Sequence, residues 1–361
     1  MRKLGIVGCG RITEDAHVPA LLELREQAEI TALAEPSAER RSAVTALLDG
    51  DVTEHEDWNE MYRSGEVDAV VVAVPHHLHL RAIADAAAAG LDVISEKPLA
   101  NTLTEVDEIG AAIDTAGTRL SMMHNWLYNP DAQAAVAAVA AGRIGDPFLI
   151  RNESLAGVRW ANRDPSGDWR LDAAKSGGGI VIDAIYHPIY ISEAEMQSPV
   201  VRVFATTFGA TGETPEHTGA VALVHANGGT TTVQRSWASK GGAAGVHEIH
   251  GTDGSIRFRP SDPRVLNLIM GGQPPPPPSG PAAPPLEIWE GDAEDWQPLE
   301  VEPAPWWKGM ESVYAQTFDA WARGEDAPVD LAGARHVLEV VMALYRSAEE
   351  GTSVEIKGGP S

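Results

Sequence analysis

The sequence predicts an α/β fold in two parts. The first is a doubly wound parallel sheet with helices on both faces. The second is an α+β part on a large, mostly antiparallel open sheet. Three observations predict this. Short apolar runs alternate with helix-periodic segments as far as about residue 124, longer two-periodic runs take over beyond it, and Gly8 and Gly10 stand where the first strand gives way to the first helix. Strand, helix, strand at that rhythm requires crossover helices and therefore parallel pairing.

Residues 4–7 form a short apolar strand closed by glycine. Residues 12–26 have helical spacing, with Ala16, Ala20, Leu21 and Leu24 near one face. A second strand is expected at 30–34 and a second helix at 37–48, with Ser37 as N-cap. Residues 67–74 are apolar except for Asp68, as in a strand covered on both faces. A helix over 78–89 ends at Gly90, and a strand at 91–95, a helix at 104–116 and a strand at 119–123 follow. Beyond His124 a helix is expected at 131–141 and strands at 147–155, 200–209, 220–225, 230–237 and 246–250. A turn at 251–254 leads to a strand at 255–259, and helices at 310–323 and 331–350 close the chain. The proline tract 273–285 lies between strand-like segments 266–270 and 286–290. It reads as a long hairpin loop with polyproline II character, not as a boundary. The expected domains are residues 1–124 and 125–361.

The 361 residues are 43% hydrophobic and 22% charged, ordinary for folded domains and enough for two cores. Lys and Arg number 27 against 52 Asp and Glu, a net charge of −25. Such a chain repels phosphate backbones and anionic lipid, which argues against nucleic-acid or membrane partners. The lone Cys9 forms no intrachain disulfide. No run approaches the roughly 20 apolar residues of a membrane span, and the apolar run after Lys3 is too short for a signal-peptide core. A cytoplasmic protein is expected.

Gly8-Cys9-Gly10-Arg11-Ile12-Thr13 is a G-x-G-x-x-T turn. Its glycines let backbone approach a pyrophosphate at a helix N-terminus. Thr13 is bulkier than the small residue usual there. Glu35, 22 residues beyond Thr13 at the end of the second strand, is placed to accept hydrogen bonds from a ribose diol and to repel a 2′-phosphate. That favours NAD, while Arg40 and Arg41 nearby keep NADP open. Pro75-His76-His77-Leu78-His79 follows the third strand. Its H-H-x-H spacing has no matching Cys or acidic cluster, so a turn opening a helix accounts for it and no metal is expected.

Ser95-Glu96-Lys97-Pro98 follows the fourth strand, which puts Lys97 at the same carboxyl edge as the glycine turn. A lysine there can polarise a hydroxyl or carbonyl beside a nicotinamide. Gly177-Gly178-Gly179 opens a segment in which Asp183 and His187 are four apart, on one helical face. An acid can hold a histidine as general base, although a capped or core histidine has the same pattern. Pro188 should kink this helix.

Taken together, Gly8-Cys9-Gly10, Glu96-Lys97-Pro98 and the Gly177–Gly179, Asp183, His187 series resemble the glucose-fructose oxidoreductase and inositol dehydrogenase (Gfo/Idh/MocA) family over nearly the whole chain. Trp169-Arg170, residues 251–255 and residues 338–354 extend the match. The resemblance implies an N-terminal Rossmann domain with bound NAD(P) and a C-terminal domain whose open sheet commonly forms a homodimer or homotetramer interface. It implies a sugar, glycoside, cyclitol or related polyol at the domain junction. Lys97 would bind and polarise the reacting hydroxyl, His187 would be the general base, and Asp183 would support it or contact substrate. The Lys97–Pro98 bond would be cis. The cofactor-binding candidates are Gly8, Gly10, Arg11, Ile12 and Glu35, with Pro75, His79, Glu96 and Lys97 along the sheet edge. Arg170 joins the substrate-binding candidates, and Trp126, Tyr128, Trp160 and Trp169 are candidates for a substrate wall or for core packing.

The leading expectation is a dehydrogenase oxidising a secondary hydroxyl by hydride transfer to nicotinamide. Two others share the fold: redox-neutral glycoside cleavage through transient oxidation by tightly held NAD, and a non-catalytic dinucleotide-sensing regulator.

Overall fold

The computed structural model describes residues 1–155, 168–210, 214–239, 245–258 and 286–357. The chain forms two units, Met1–Asn129 with Trp307–Arg335 and Pro130–Trp306 with His336–Ser361.

The first unit holds a six-stranded parallel sheet in the order β3-β2-β1-β4-β5-β6. Its strands are β1 (Arg2–Val7), β2 (Ala28–Ala34), β3 (Thr53–His55), β4 (Ala69–Val72), β5 (Asp92–Ser95) and β6 (Leu120–Met122). Chain order reverses between β1 and β4, so a crevice opens at the carboxyl ends of these two strands, the place where such sheets bind ligands. All of β4 is buried, as its apolar run requires. The helices are α1 (Val18–Leu22), α2 (Ala38–Thr45), α3 (Trp58–Arg63), α4 (His79–Ala88) and α5 (Leu103–Ala116). Ser37 caps α2 by accepting from the Arg40 amide, and α5 opens on a Thr102/Glu105 capping box and closes on left-handed Gly117. The strand β3 was not expected. Thr53-Glu54-His55 is a polar edge with no buried face, so it carries no hydrophobic pattern.

The first helix differs from the expected single run over 12–26. A π turn, Thr13–His17, precedes α1, which ends at Leu22. Pro19 is the reason. A proline ring inside a helix presses on the carbonyl four residues back, and a wider turn before it relieves the clash.

The segment Trp307–Arg335 packs on the first unit, so the boundary expected at residue 124 is incomplete. Helix α9 (Lys308–Ala322) supplies Trp321, 3% exposed, whose ring takes the guanidinium groups of Arg2 and Arg119 at 5.0 Å each. Both arginines pair with Asp92, and Arg119 donates to the Trp321 carbonyl at 2.8 Å. The apolar face of this helix was legible in the sequence, but its partner was not.

The second unit is built on a nine-stranded sheet ordered β14-β13-β12-β11-β7-β10-β9-β8-β15. The strands are β7 (Pro147–Leu155), β8 (Val200–Phe208), β9 (Thr218–His225), β10 (Thr230–Ser236), β11 (Val246–Gly251), β12 (Gly254–Phe258), β13 (Leu286–Glu290), β14 (Gln297–Pro298) and β15 (Val354–Glu355). The β7–β10 pair is parallel and the other pairs are antiparallel. Helices of this unit are α6 (Pro130–Ala140), α7 (Ala173–Ser176) and α8 (Tyr186–Met196), with α10 (Leu331–Glu350) closing the chain. Ala135 and Val139 of α6 and Met196 of α8 bury the sheet residues Ile150, Ile249, Ile256 and Ile288. The proline tract 273–285 and the strand expected at 266–270 lie outside the described residues.

Replacing a buried tryptophan by alanine typically costs about 3–5 kcal/mol. Trp321→Ala is expected to lower stability by about that amount in urea or guanidinium unfolding. A loss under about 1 kcal/mol would mean that α9 is not part of the first unit's core.

Candidate active site

In the first unit, Gly8 has φ +97°, and a Cβ there would lie 2.4 Å from the Ala73 carbonyl oxygen. Only glycine fits at that position. A Cβ at Gly10 would meet nothing within 4 Å, so the turn presents open backbone at a helix start, which fits a dinucleotide pyrophosphate. Thr13, the departure from a third glycine, is fully buried and donates its hydroxyl to the Gly8 carbonyl at 2.7 Å. It braces the turn across the space that a smaller residue would leave. Arg11 is exposed on the turn and pairs with Asp15 at 3.4 Å. Ile12 is half-buried beside it.

Glu35 is buried, and its two oxygens accept from the Cys9 amide at 3.2 Å and the Ser37 amide at 3.1 Å. The carboxylate is thereby tethered between the glycine turn and the start of α2. Arg41 is buried too. It donates to the Glu35 and Pro36 carbonyls and pairs with Glu54 and Glu56. Burial, with Glu35 adding to it, pushes the Cys9 thiol up to about 12, so it stays protonated.

The loop after β4 begins at half-buried Pro75 and is held from beneath. His79 is fully buried, with Nε2 2.9 Å from the Val74 carbonyl oxygen, and burial keeps it neutral. Its ring holds this loop through the Val74 carbonyl. After β5, the Lys97–Pro98 peptide is cis, as the resemblance implied. Glu96 accepts from the Lys97 amide at 3.0 Å, and its other oxygen lies 3.2 Å from His17 Nε2. Nδ1 of His17 meets the Tyr314 hydroxyl at 2.7 Å. Burial would raise the Glu96 carboxyl, but His17 and then Lys97 hold it below the usual carboxylate range. Half-buried Lys97 thus follows a carboxylate fixed by a buried histidine. Trp126 and Tyr128 lie on a 3₁₀ turn, Asn125–Tyr128, and both are half-buried.

In the second unit, two of the three glycines answer to two residues that sequence reading missed. A Cβ at Gly178 would lie 2.0 Å from the Tyr345 hydroxyl, and one at Gly179 would lie 1.9 Å from the Glu216 carbonyl oxygen. The buried Glu216 carboxylate accepts from the amides of Gly179 and Val181, each at 3.1 Å, and from the Tyr345 hydroxyl at 2.9 Å. The Tyr345 hydroxyl also accepts from the Ile182 amide at 3.3 Å. The only sequence signal was the glycine run itself, which demands a close neighbour without naming it.

The kink expected at Pro188 takes the form of a π turn, Val181–Ile185, ahead of α8. Asp183 sits on that turn, 3.9 Å from the Arg170 guanidinium. His187 is buried in the first turn of α8, with Nδ1 2.6 Å from the Tyr190 hydroxyl. Arg170 and Trp169 share a 3₁₀ turn, with the guanidinium 4.4 Å from the indole centroid. Trp160 lies outside the described residues.

His124, buried at the end of the first unit's sheet, has a clear pH signature. Burial, helped by the positive charge of Lys97, pulls its pKa down to about 3. An unfolded histidine titrates near 6.5, so between those values the unfolded chain binds a proton that the folded chain refuses. Stability therefore falls as pH drops from about 6.5 toward 3, by up to about 1.4 kcal/mol per pH unit from this group. In urea unfolding across that range, His124→Gln is expected to show a shallower slope, and an unchanged slope would refute the assignment.

Residues 2–124 match the oxidoreductase family with NAD-binding Rossmann fold, and residues 132–257 match the GFO/IDH/MocA C-terminal domain. The 1,5-anhydro-D-fructose reductase of Ensifer adhaerens is 28% identical over 99% of this chain and 100% of its own length. The D-apiose dehydrogenase of Paraburkholderia graminis is 27% identical over 98% and 90%. The crystal structure of aldose-aldose oxidoreductase from Caulobacter crescentus superposes with a TM-score of 0.80 at 21% identity, covering 98% and 99%. At that identity the likeness is one of fold. No helix among the described residues is long and apolar enough to cross a membrane. The glycine turn and both matched regions converge: the chain is an oxidoreductase of the GFO/IDH/MocA family, and residues 2–124 are that family's NAD-binding Rossmann domain.

Proposed function

We propose that the protein oxidises a secondary hydroxyl of a sugar, glycoside or cyclitol. Bound NAD supplies the hydride acceptor. Gly8, Gly10 and the helix start hold the pyrophosphate, and Glu35 accepts from the adenosine ribose. The Arg41 side chain is already committed to backbone carbonyls and to Glu54 and Glu56, which favours NAD over NADP.

The observation that carries the reading is His187. Its imidazole is buried, held at Nδ1 by Tyr190, and set at the start of a helix whose amides Glu216 fixes. In the base form, Nδ1–H donates to the Tyr190 oxygen and Nε2 presents the lone pair that takes the hydroxyl proton. Lys97 binds and polarises that hydroxyl, and Asp183 sets the charge around His187. Trp126, Tyr128, Trp169 and Arg170 contribute to substrate binding. The names of the Ensifer and Paraburkholderia relatives describe redox chemistry on sugars, which supports this substrate class.

The same reading includes assembly through the second unit's sheet. Phe204 and Phe208 are 42% and 73% exposed on β8, on the face opposite the buried Val203 and Ala205. Exposed aromatics in a sheet face mark an association surface.

Two measurements test these points. Lys97→Ala and His187→Ala are each expected to keep NAD affinity within about three-fold while turnover of a responsive sugar falls about 10²- to 10⁴-fold, the range of acid–base catalysis. Wild-type turnover in both variants would overturn the assignment. Mass photometry is expected to find a dimer or tetramer, with Phe204→Glu/Phe208→Glu shifting it toward monomer; a monomeric wild type would remove the sheet interface.

A further inference from the structure

The ladder between β9 and β10 sets Arg235 directly opposite Gly219. Opposed residues of an antiparallel pair share a sheet face. A Cβ on Gly219 would lie 2.9 Å from Ile185 and within 4 Å of Ile180 and Val181. The shared face is therefore the one crossed by the π turn that carries Asp183. On the same face the next strand, β7, offers Asn152, whose side-chain oxygen accepts from Arg235 Nη2.

The other end of the guanidinium is unsatisfied. Nη1 is buried with no hydrogen-bond partner among the described residues, and no carboxylate lies within ion-pair distance of the group among them. Glu153 attracts it only from a distance. Burial pulls the guanidinium down to about 10, which leaves it charged at neutral pH. The chain treats its other enclosed arginines differently. Arg2 and Arg119 have Asp92, Arg41 has Glu54, and Arg257 has Glu287. With 52 acidic residues to 27 basic ones, a carboxylate was available for Arg235 as well. Arg235 as a whole is half-buried, but leaving its buried N–H without a partner is costly unless a ligand brings the missing acceptor. Arg170, 3.9 Å from Asp183, has its charge offset by that carboxylate, which leaves Arg235 as the uncompensated cation.

We propose that Arg235, with Asn152 beside it, receives a carboxylate of the substrate, so that the sugar is an aldonic or uronic acid. This inference deepens the sugar-oxidoreductase reading and rests on it for the identity of the site. The planar fork of a guanidinium matches a carboxylate, and one cation with one amide suits a singly charged head group. A phosphorylated sugar carries more charge than this pair balances.

Matched probes test it in the presence of NAD: D-glucuronate against D-glucose, D-galacturonate against D-galactose, D-gluconate against D-glucitol, and glucose 6-phosphate as the phosphate arm. Binding is read by calorimetry and turnover by reduced cofactor. At least one acid is expected to bind ten-fold or more tighter than its neutral partner and than the phosphate. Arg235→Gln should bring that ratio to within about three-fold, and Arg235→Lys, which keeps the charge, should retain part of it. If Arg235→Gln does not fold, the wild-type ratios and the Lys variant decide. Equal or undetectable binding of the acids, preference for the phosphate, or an unchanged ratio in the Gln variant overturns the inference. The two readings fail separately. Reduction of cofactor with neutral sugars alone leaves the dehydrogenase and removes the carboxylate site. Charge-selective binding lost with Arg235, without any turnover, does the reverse.

Discussion

The Glu216 carboxylate receives the amides of Gly179 and Val181 and the hydroxyl of Tyr345, and the helix that carries Asp183 and His187 takes its start from those bonds. Buried amides left unpaired cost about 1–3 kcal/mol each, so an irregular helix start inside a core needs such an acceptor. A carboxylate also opposes the positive end of the helix dipole. The consequences run outward from there. Gly178 and Gly179 lack Cβ atoms because Tyr345 and Glu216 occupy that space. With its amides anchored, the chain can widen into a π turn at Val181–Ile185 and still deliver His187 in a defined orientation against Tyr190.

The same arrangement recurs in the first unit. There a π turn, Thr13–His17, also precedes a proline in the following helix, and a side chain again ties the turn to its neighbour, through the Thr13 hydroxyl on the Gly8 carbonyl. Both prolines follow the turns closely, Pro19 as the second residue of α1 and Pro188 as the third of α8. In both places the wider turn keeps the proline ring off the carbonyl behind it. A sequence reading sees Pro188 and expects a kink, which is right about the cause. It cannot supply the form, because a π turn and a bend satisfy the same local constraint.

What was legible in the sequence was what local patterning encodes. The buried strands of the first sheet, the glycine turn, the cap at Ser37, the two closing helices and the antiparallel character of the second sheet all carry periodicity or turn chemistry. What was not legible depends on partners distant in the chain. Glu216 lies 37 residues from Gly179, Tyr345 lies 129 from Glu216, and Trp321 lies 202 from Arg119. The edge strand β3 has no apolar face to announce it. His79 shows the opposite limit. Its position beside a ligand-binding sheet edge suggested cofactor contact, and the sequence could not show that the ring is buried and bonded to the Val74 carbonyl.

Net charge enters at a different level. A total of −25 creates a repulsive average field for any anion, including a dinucleotide. That field is weak at a binding site, because exposed charges are screened beyond roughly 8 Å at physiological salt. A buried group acts through a less polar medium and is screened far less. Placement therefore outweighs the sum. The first unit satisfies its buried Glu35 with the Cys9 and Ser37 amides, so that this carboxylate is held in place by backbone donors beside the glycine turn. The second unit fills its helix start with Glu216, which removes that N-terminus as an anion site and leaves arginine side chains as the donors around Asp183. An acidic surface and a locally cationic recognition site are thus compatible, and the surface charge lowers the background of non-specific anion binding against which such a site must select.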